Sequence, residues 1–251
     1  MENWIHRICE PKQLYLAWQA SDHMQDRFRW AVAILHISQD LCTLRYLSSG
    51  VEFESLNQGR SLHLAEALGY QGYPAFNPRR SEHNSGVLEA LMRRLPPRSR
   101  PDYNDYRRQF RIGEDATPSD FALLGTTEAK LPSDGFSIVD PLDPDASDCD
   151  LMLEVAGFRY YANELTHPLE IGCRVELLPE PQNAKDAGAV EIRAHDQRIG
   201  YVNRLQAPTF LKWFAERHVS ATLERLNGSR NHPRAFIFVR VRAVEKHKKV
   251  A

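Results

Sequence analysis

The sequence predicts an α+β protein in two parts: an N-terminal mixed sheet-and-helix domain, then a small OB-like β-barrel with one or two helices. Three observations predict it. Short aromatic and aliphatic runs bounded by turn residues dominate both ends of the chain, helical spacing is confined to a middle stretch and one late segment, and a proline-acidic passage near residue 141 interrupts the pattern. At 251 residues, 42% hydrophobic and 26% charged, the chain has the length of two ordinary domains and the composition of a soluble globular protein.

In the first part, the runs at 14–18 and 29–35 read as strands, with the polar stretch 21–26 suited to a hairpin loop between them. The run 41–47 continues the pattern with Cys42, Leu44 and Tyr46 on one face, and Ser48-Ser49-Gly50 ends it. A turn-rich passage follows, in which Gly69, Gly72, Pro74 and Pro78 break any long element. Val87, Leu88, Leu91, Met92 and Leu95 then have helical spacing that Pro96-Pro97 stops, and Tyr103, Tyr106, Arg107 and Phe110 suggest a second helix. Thr117 reads as an N-cap, Pro118 as a first-turn proline and Asp120 as the acid of a capping box, with Gly125 as the stop of that helix. Residues 136–139 close the part as a last strand. The proline, acidic and small residues of 141–148 cannot bury a face, which places the first domain at 1–140, a linker at 141–149, the barrel at 150–245 and a basic tail at 246–251.

In the second part the candidate strands are 151–158, 174–178, 189–194, 198–202, 219–223 and 235–241. One helix, 207–217, carries the stripe Phe210, Leu211 and Phe214. Turn signals at Gly172, Gly188 and Gly228 suit a closed or nearly closed barrel. Charge divides the same way. From residue 151 onward 16 Lys and Arg stand against 11 Asp and Glu, a net +5, while residues 1–150 carry 16 against 22, a net −6, giving −1 in all. A local excess of this size supports phosphate contact rather than a generic polyanion-binding surface.

Several classes are excluded. No apolar run reaches the ~18 residues of a membrane span, and Met1-Glu2-Asn3-Trp4 lacks the basic and apolar regions of a signal peptide, so a cytoplasmic protein without a membrane partner is expected. Cys9, Cys42, Cys149 and Cys173 form no CxxC pair and read as buried free thiols, with no metal site. His195-Asp196, His218 and His232 show no metalloprotease spacing, and no Walker loop or dinucleotide fingerprint is present. A non-enzyme without cofactors is expected.

Three stretches of the second part carry the candidate chemistry. Residues 155–161 place Arg159 beside Tyr160 and Tyr161, residues 183–190 form a polar turn with Lys185 and Asp186, and residues 198–204 bring Tyr201 and Arg204. Single-stranded nucleic acid needs this mixture, because cations hold phosphates while aromatic faces accept unstacked bases. Arg159, Tyr160, Lys185, Asp186, Tyr201 and Arg204 are therefore the candidate nucleic-acid-binding residues; Arg198 and Lys212 are weaker rim candidates. Bland readings stand beside these: both Tyr160 and Tyr161 are barrel residues, since strand neighbours face opposite sides and one of them points inward; Asp186 caps its own turn; Arg204 is a solvated strand-end charge.

The order and wording of these stretches over residues 151–245 resemble the HIRAN domain, a small barrel found in remodelling ATPases and many bacterial proteins. The resemblance implies capture of a 3′ end of single-stranded DNA, with Tyr160 outward, Tyr161 inward, and Asp186 at the terminal hydroxyl, where a carboxylate accepts from a hydroxyl and repels a continuing phosphate. The commoner Asn-Pro-Tyr-Asp of that family appears here as Asn183-Ala184-Lys185-Asp186, which loses an aromatic and gains a cation. In the first part, residues 88–96, 120–125 and 135–139 resemble packing motifs in the N-terminal subdomain of HipA-type kinases, without the kinase core. That resemblance implies a protein-interaction domain over 1–140, docking on a separate kinase, nuclease or helicase. The combined reading is a non-catalytic adaptor that binds single-stranded DNA, in DNA repair or anti-phage defence. The alternative is an antitoxin-like partner of a separate HipA-type kinase subunit.

Overall fold

A computed structural model describes all residues except 1, 22–23, 25–26, 40, 132 and 245–251, so most of the expected loop at 21–26 and the basic tail at 246–251 lie outside the described residues. The fold is α+β, with two antiparallel sheets and short helices. The chain divides into two compact units. One is Glu10–Phe110 with Thr117–Pro141; the other, which holds the barrel, is Met1–Cys9, Arg111–Ala116 and Leu142–Ala251. The barrel unit thus takes in two segments that the sequence alone groups with the first domain.

The first of these units is a five-stranded sheet of order β4-β3-β2-β1-β5. β1 (Gln13–Gln19), β2 (Arg29–Ser38) and β3 (Leu41–Tyr46) form a meander, buried on both faces in the middle of β2. α1 (Val51–Leu56) and α2 (Leu62–Ala67) occupy the passage read as turns. Each is six residues long and buries one side chain, Phe53 or Ala65, which is too little to write a helical period into the sequence. β4 (Glu82–His83), α3 (Val87–Met92) and α4 (Tyr103–Gln109) follow.

α5 (Asp120–Thr127) is capped by Ser119, whose Oγ accepts from the Ala122 amide at 3.0 Å, so the cap lies two residues after the expected Thr117. Gly125 does not stop this helix. A Cβ there would sit 2.7 Å from Leu14 Cδ2, so the glycine lets the helix lie close to the sheet, and the helix ends two residues later, before Glu128 in a left-handed conformation. β5 (Phe136–Val139) then pairs with β1. Arg94, at the end of α3, is the buried cation of this unit. It donates to Ala129 O at 2.8 Å, to Phe136 O at 3.0 Å and to both Asp134 oxygens at 2.6 and 3.1 Å, which satisfies a guanidinium that burial would otherwise penalise.

In the barrel unit, β6 (Cys149–Glu154) is followed by a single helical turn, α6 (Phe158–Tyr161), then β7 (Arg174–Pro179), β8 (Val190–Ala194), β9 (Gln197–Tyr201), α7 (Ala207–Glu216), β10 (Arg217–Ser229) and β11 (His232–Ala243). The sheet order is β6-β11-β10-β7-β8-β9. Its two ends meet through a bridge between Ala156 and Tyr201, so the sheet curls back on itself. Val155, Val190, Ile192, Ile199, Phe210, Trp213, Leu223, Ile237 and Val239 fill the interior.

One expectation about these elements is corrected here. The strand predicted for 151–158 ends at Glu154, because Gly157 takes φ 78° and starts a helical turn. His195-Asp196 is the turn of the β8–β9 hairpin: both residues have positive φ, as a two-residue hairpin connection between twisted strands requires. Linker residues also contribute to this core, with Ala146 and Cys149 buried in it. All four cysteines are free thiols, but only Cys42 and Cys149 are buried, while Cys9 and Cys173 are half-buried.

The outer face of β11 is covered as well. Phe236 and Phe238 alternate with the inward Ile237 and Val239, yet both are buried, under the guanidiniums of Arg225, Arg234 and Arg240 at 4.3–4.9 Å from the rings. Asn3 donates to Glu224 at 2.6 Å and accepts from Arg240 at 2.5 Å, and Arg111 pairs with the same Glu224 at 2.6 Å, so the N-terminal segment is sewn to this face.

Replacing Arg94 with Ala removes the cation paired with Asp134, which keeps only the Phe136 amide, and takes a donor from two carbonyls. The expected cost is about 3 kcal/mol of unfolding free energy, read from denaturant titration, and Arg94→Lys restores only part of it because a lysine cannot serve all four acceptors.

Candidate nucleic-acid interface

Barrel closure fixes the site. Ala156 N donates to Tyr201 O at 2.8 Å and Tyr201 N returns the bond to Ala156 O at 2.9 Å, which pins the start of the 157–161 turn against the end of β9. The approach is possible because residue 200 is glycine. A Cβ on Gly200 would lie 2.5 Å from Ala156 O and 2.6 Å from Val155 Cγ1, and its φ of 146° suits no L side chain.

On the turn itself, Phe158 points into the core, while Tyr160 is 58% exposed. Arg159 Nη2 donates to Tyr160 Oη at 2.5 Å, with its guanidinium carbon 4.6 Å from the ring centre. Cation and aromatic therefore form one outward unit. Tyr161 is half-buried and its ring lies 6.3 Å from that of Tyr201. The two tyrosines diverge because they sit on a helical turn, not because strand neighbours alternate.

Tyr201 is held from several sides. Its Oη donates to Glu180 Oε2 at 3.0 Å and accepts from Asn183 Nδ2 at 3.3 Å, while Asn183 also donates to Glu180 Oε2 at 2.7 Å. Arg198 lies over the Tyr201 ring at 5.4 Å and bridges two carboxylates, donating to Glu180 Oε1 at 2.8 Å and to Glu191 at 2.9 and 3.2 Å. The Asn183 amide, with Tyr201 and Arg198, holds the Glu180 carboxyl below the usual carboxylate range. Burial, then the bond to Glu180 and the nearby Tyr161, push the Tyr201 phenol up. The Glu191 carboxylate raises Arg198 further. Glu180 and Tyr161 escape sequence reasoning altogether: a glutamate at a strand end and the second of two tyrosines carry no spacing that marks them.

The 183–188 turn is organised by its own side chains. Asn183 Oδ1 accepts from the Lys185 and Asp186 amides at 2.9 and 3.1 Å, and Asp186 Oδ1 accepts from Gly188 N at 2.9 Å. One oxygen of Asp186 thus caps its turn, as the bland reading has it, while Lys185 projects exposed beside it. Arg204 is half-buried in the turn between β9 and α7. The structure therefore brings the turn at 157–161, Tyr201 and the Asn183 turn into one hydrogen-bonded neighbourhood, and places Lys185, Asp186 and Arg204 on the segments leaving it. Arg198 and Lys212, the rim candidates, are engaged in ion pairs with Glu180 and Glu191 and with Asp145. No group of His, Cys, Asp and Glu among the described residues is arranged to hold a metal ion. No helix among them is long and apolar enough to cross a membrane.

The sequence model of the HIRAN domain family matches residues 150–242, so the resemblance read from the motifs holds for this segment. Among solved structures, the HIRAN domain of human HLTF is 18% identical over 37% of this chain and 74% of its own, with a TM-score of 0.30. A protein from Lactobacillus plantarum is 19% identical over 38% of this chain and 99% of its own, with a TM-score of 0.27. No curated protein matches the chain.

Two outcomes check this geometry. Gly200→Ala forces β9 away from residues 155–156 and is expected to cost about 2–4 kcal/mol in a thermal or denaturant melt. Glu180→Gln keeps one acceptor and is expected to cost about 1 kcal/mol at neutral pH. Because folding lowers the Glu180 pKa, its stabilisation is present above the ordinary carboxylate pKa and fades as pH falls through the lowered folded value. The wild-type and Glu180→Gln melts should therefore converge in acid.

Proposed function

We propose that the barrel unit binds single-stranded DNA, preferentially at a 3′ end, and that the protein acts through binding without catalysis. The observation that carries this reading is the pair of half-buried Arg159 and exposed Tyr160, pinned by barrel closure beside Tyr201 inside the segment that matches the HIRAN family. In this reading Arg159 and Arg204 hold phosphates, and Tyr160 and Tyr201 offer faces to unstacked bases. Around the Tyr201 network, Arg159, Lys185 and Arg204 stand against Asp186, which outweighs the net −1 of Glu180, Glu191 and Arg198 and leaves one positive charge in excess.

End preference is assigned to Asp186. A carboxylate accepts from a terminal 3′-hydroxyl and repels a phosphate in its place. Lys185 opposes that repulsion from the next position, so the discrimination is expected to be weaker than a carboxylate alone would give. The other unit is assigned a protein-interaction role, supported by the HipA-like wording of residues 88–96, 120–125 and 135–139. A kinase, nuclease or helicase gene beside this one identifies the class of partner.

Fluorescence anisotropy with a short labelled strand tests the reading. Tyr160→Ala is expected to weaken binding by about tenfold, the equivalent of one lost base stack, and Arg159→Ala to reduce the salt dependence as well as the affinity. A 3′-phosphate should bind less well than a 3′-hydroxyl, and Lys185→Ala should widen that gap. The labelled strand should stay intact through incubation with magnesium. Feeble binding that ignores both the 3′ group and Arg159→Ala contradicts the proposal.

A further inference from the structure

The hairpin of β10 and β11 runs past the barrel that it helps to build. β6 accompanies β11 only as far as the Glu154–Phe236 pair and a bond from Val155 N to Ala235 O, and β7 accompanies β10 only near residues 221–223. The pairs Asn227–Arg234, Gly228–Pro233 and Ser229–His232 have no further strand beside them among the described residues. They form a free two-stranded ribbon about 10 Å long, with residues 226–232 exposed throughout.

Its charge is one-sided. Residues 226–234 contain two arginines, Arg230 and Arg234, and no aspartate or glutamate, with Arg225 one residue before them. Arg230 sits exposed at the tip. Arg225 and Arg234 lie at the ribbon's base with their guanidiniums 4.3 and 4.9 Å from the ring of the buried Phe236, and Arg225 is disfavoured as a cation first by burial, then by Arg234 and Arg111. Arg234 is paired with Glu154 at 2.7 and 2.9 Å, at a partly exposed position where such a pair is worth little and exchanges readily.

The composition of the ribbon also decides between ligands. Residues 226–234 hold no Phe, Tyr or Trp, so the ribbon has cations but no platform for unstacked bases. Phosphates of a stacked duplex suit it instead, and a two-stranded ribbon has the width to enter the major groove of B-DNA.

We propose that this ribbon is a second nucleic-acid contact, taking the duplex DNA that flanks a single-stranded 3′ end. The proposal rests on the end-binding reading for its geometry, since the strand end and its duplex would be held by one unit. The test uses the full chain and three labelled probes: a short single strand, the same strand as a 3′ overhang on a duplex, and a blunt duplex. The overhang probe is expected to bind about tenfold more tightly than the single strand at low salt. Arg230→Glu with Asn227→Asp, both at exposed tip positions, should remove that gain and leave single-strand affinity unchanged. Arg230→Ala alone should lower the salt slope for the overhang probe by about 1. Equal wild-type affinity for single strand and overhang, or a gain that survives the double tip variant, overturns the ribbon contact and leaves the end-binding reading standing. If the wild type ignores the single strand, end binding fails. In that case blunt-duplex binding abolished by the tip variant still supports the ribbon, and no binding to any probe overturns both.

Discussion

Closure of the barrel through one backbone bridge, Ala156 to Tyr201, is the constraint on which the candidate interface depends. A sheet of six strands has two edges, and leaving both open would expose unpaired donors and acceptors. Here the edges meet where β9 ends and where the chain leaves β6, and the contact is tight enough that only glycine fits at position 200. The turn carrying Arg159 and Tyr160 begins one residue after that bridge. The position of these side chains is thus inherited from the barrel rather than from a loop.

Around this joint, buried and exposed polar groups have separate tasks. Glu180, Asn183, Arg198 and Glu191 bond one another and Tyr201, so their hydrogen-bonding capacity is largely spent inside the protein. What remains directed outward is cationic and aromatic: Arg159 with Tyr160, and Lys185 beside the capped Asp186. A rigid, internally bonded base carrying a few outward cations is a suitable scaffold for phosphate contact, because little side-chain entropy remains to be lost at the base when a ligand arrives. The same division recurs on the far face of β11, where guanidiniums cover Phe236 and Phe238 and the ribbon beyond them is left with positive charge alone.

Strands with a strong apolar signal were legible in the sequence, β3 by its alternation and β2, β8 and β11 as short continuous runs, because each buries a set of apolar side chains. The resemblance implied Tyr160 outward, and Tyr160 is exposed; the strand alternation expected to separate it from Tyr161 is replaced by a helical turn. What was not legible lacks a local period. α1 and α2 bury one residue each, Gly125 serves packing rather than termination, and the true lengths of β10 and β11 are set by pairing with each other beyond the core. The Glu180 network was hidden for the same reason: its members come from two strands and from the turn that follows β7, and meet only in the folded chain. The inclusion of Met1–Cys9 and Arg111–Ala116 in the barrel unit rests on side chains such as Asn3, Arg111 and Glu224, whose partners lie more than 100 residues away in the sequence.

Amide chemical-shift mapping with a short single strand of DNA would show whether the closure joint is a nucleic-acid surface. Saturable shifts should concentrate at residues 157–161, 183–188 and 200–204, with the Ala156 and Tyr201 amides still protected from hydrogen exchange in the complex. Shifts confined to other surfaces, or none at millimolar oligonucleotide, would contradict the proposed surface.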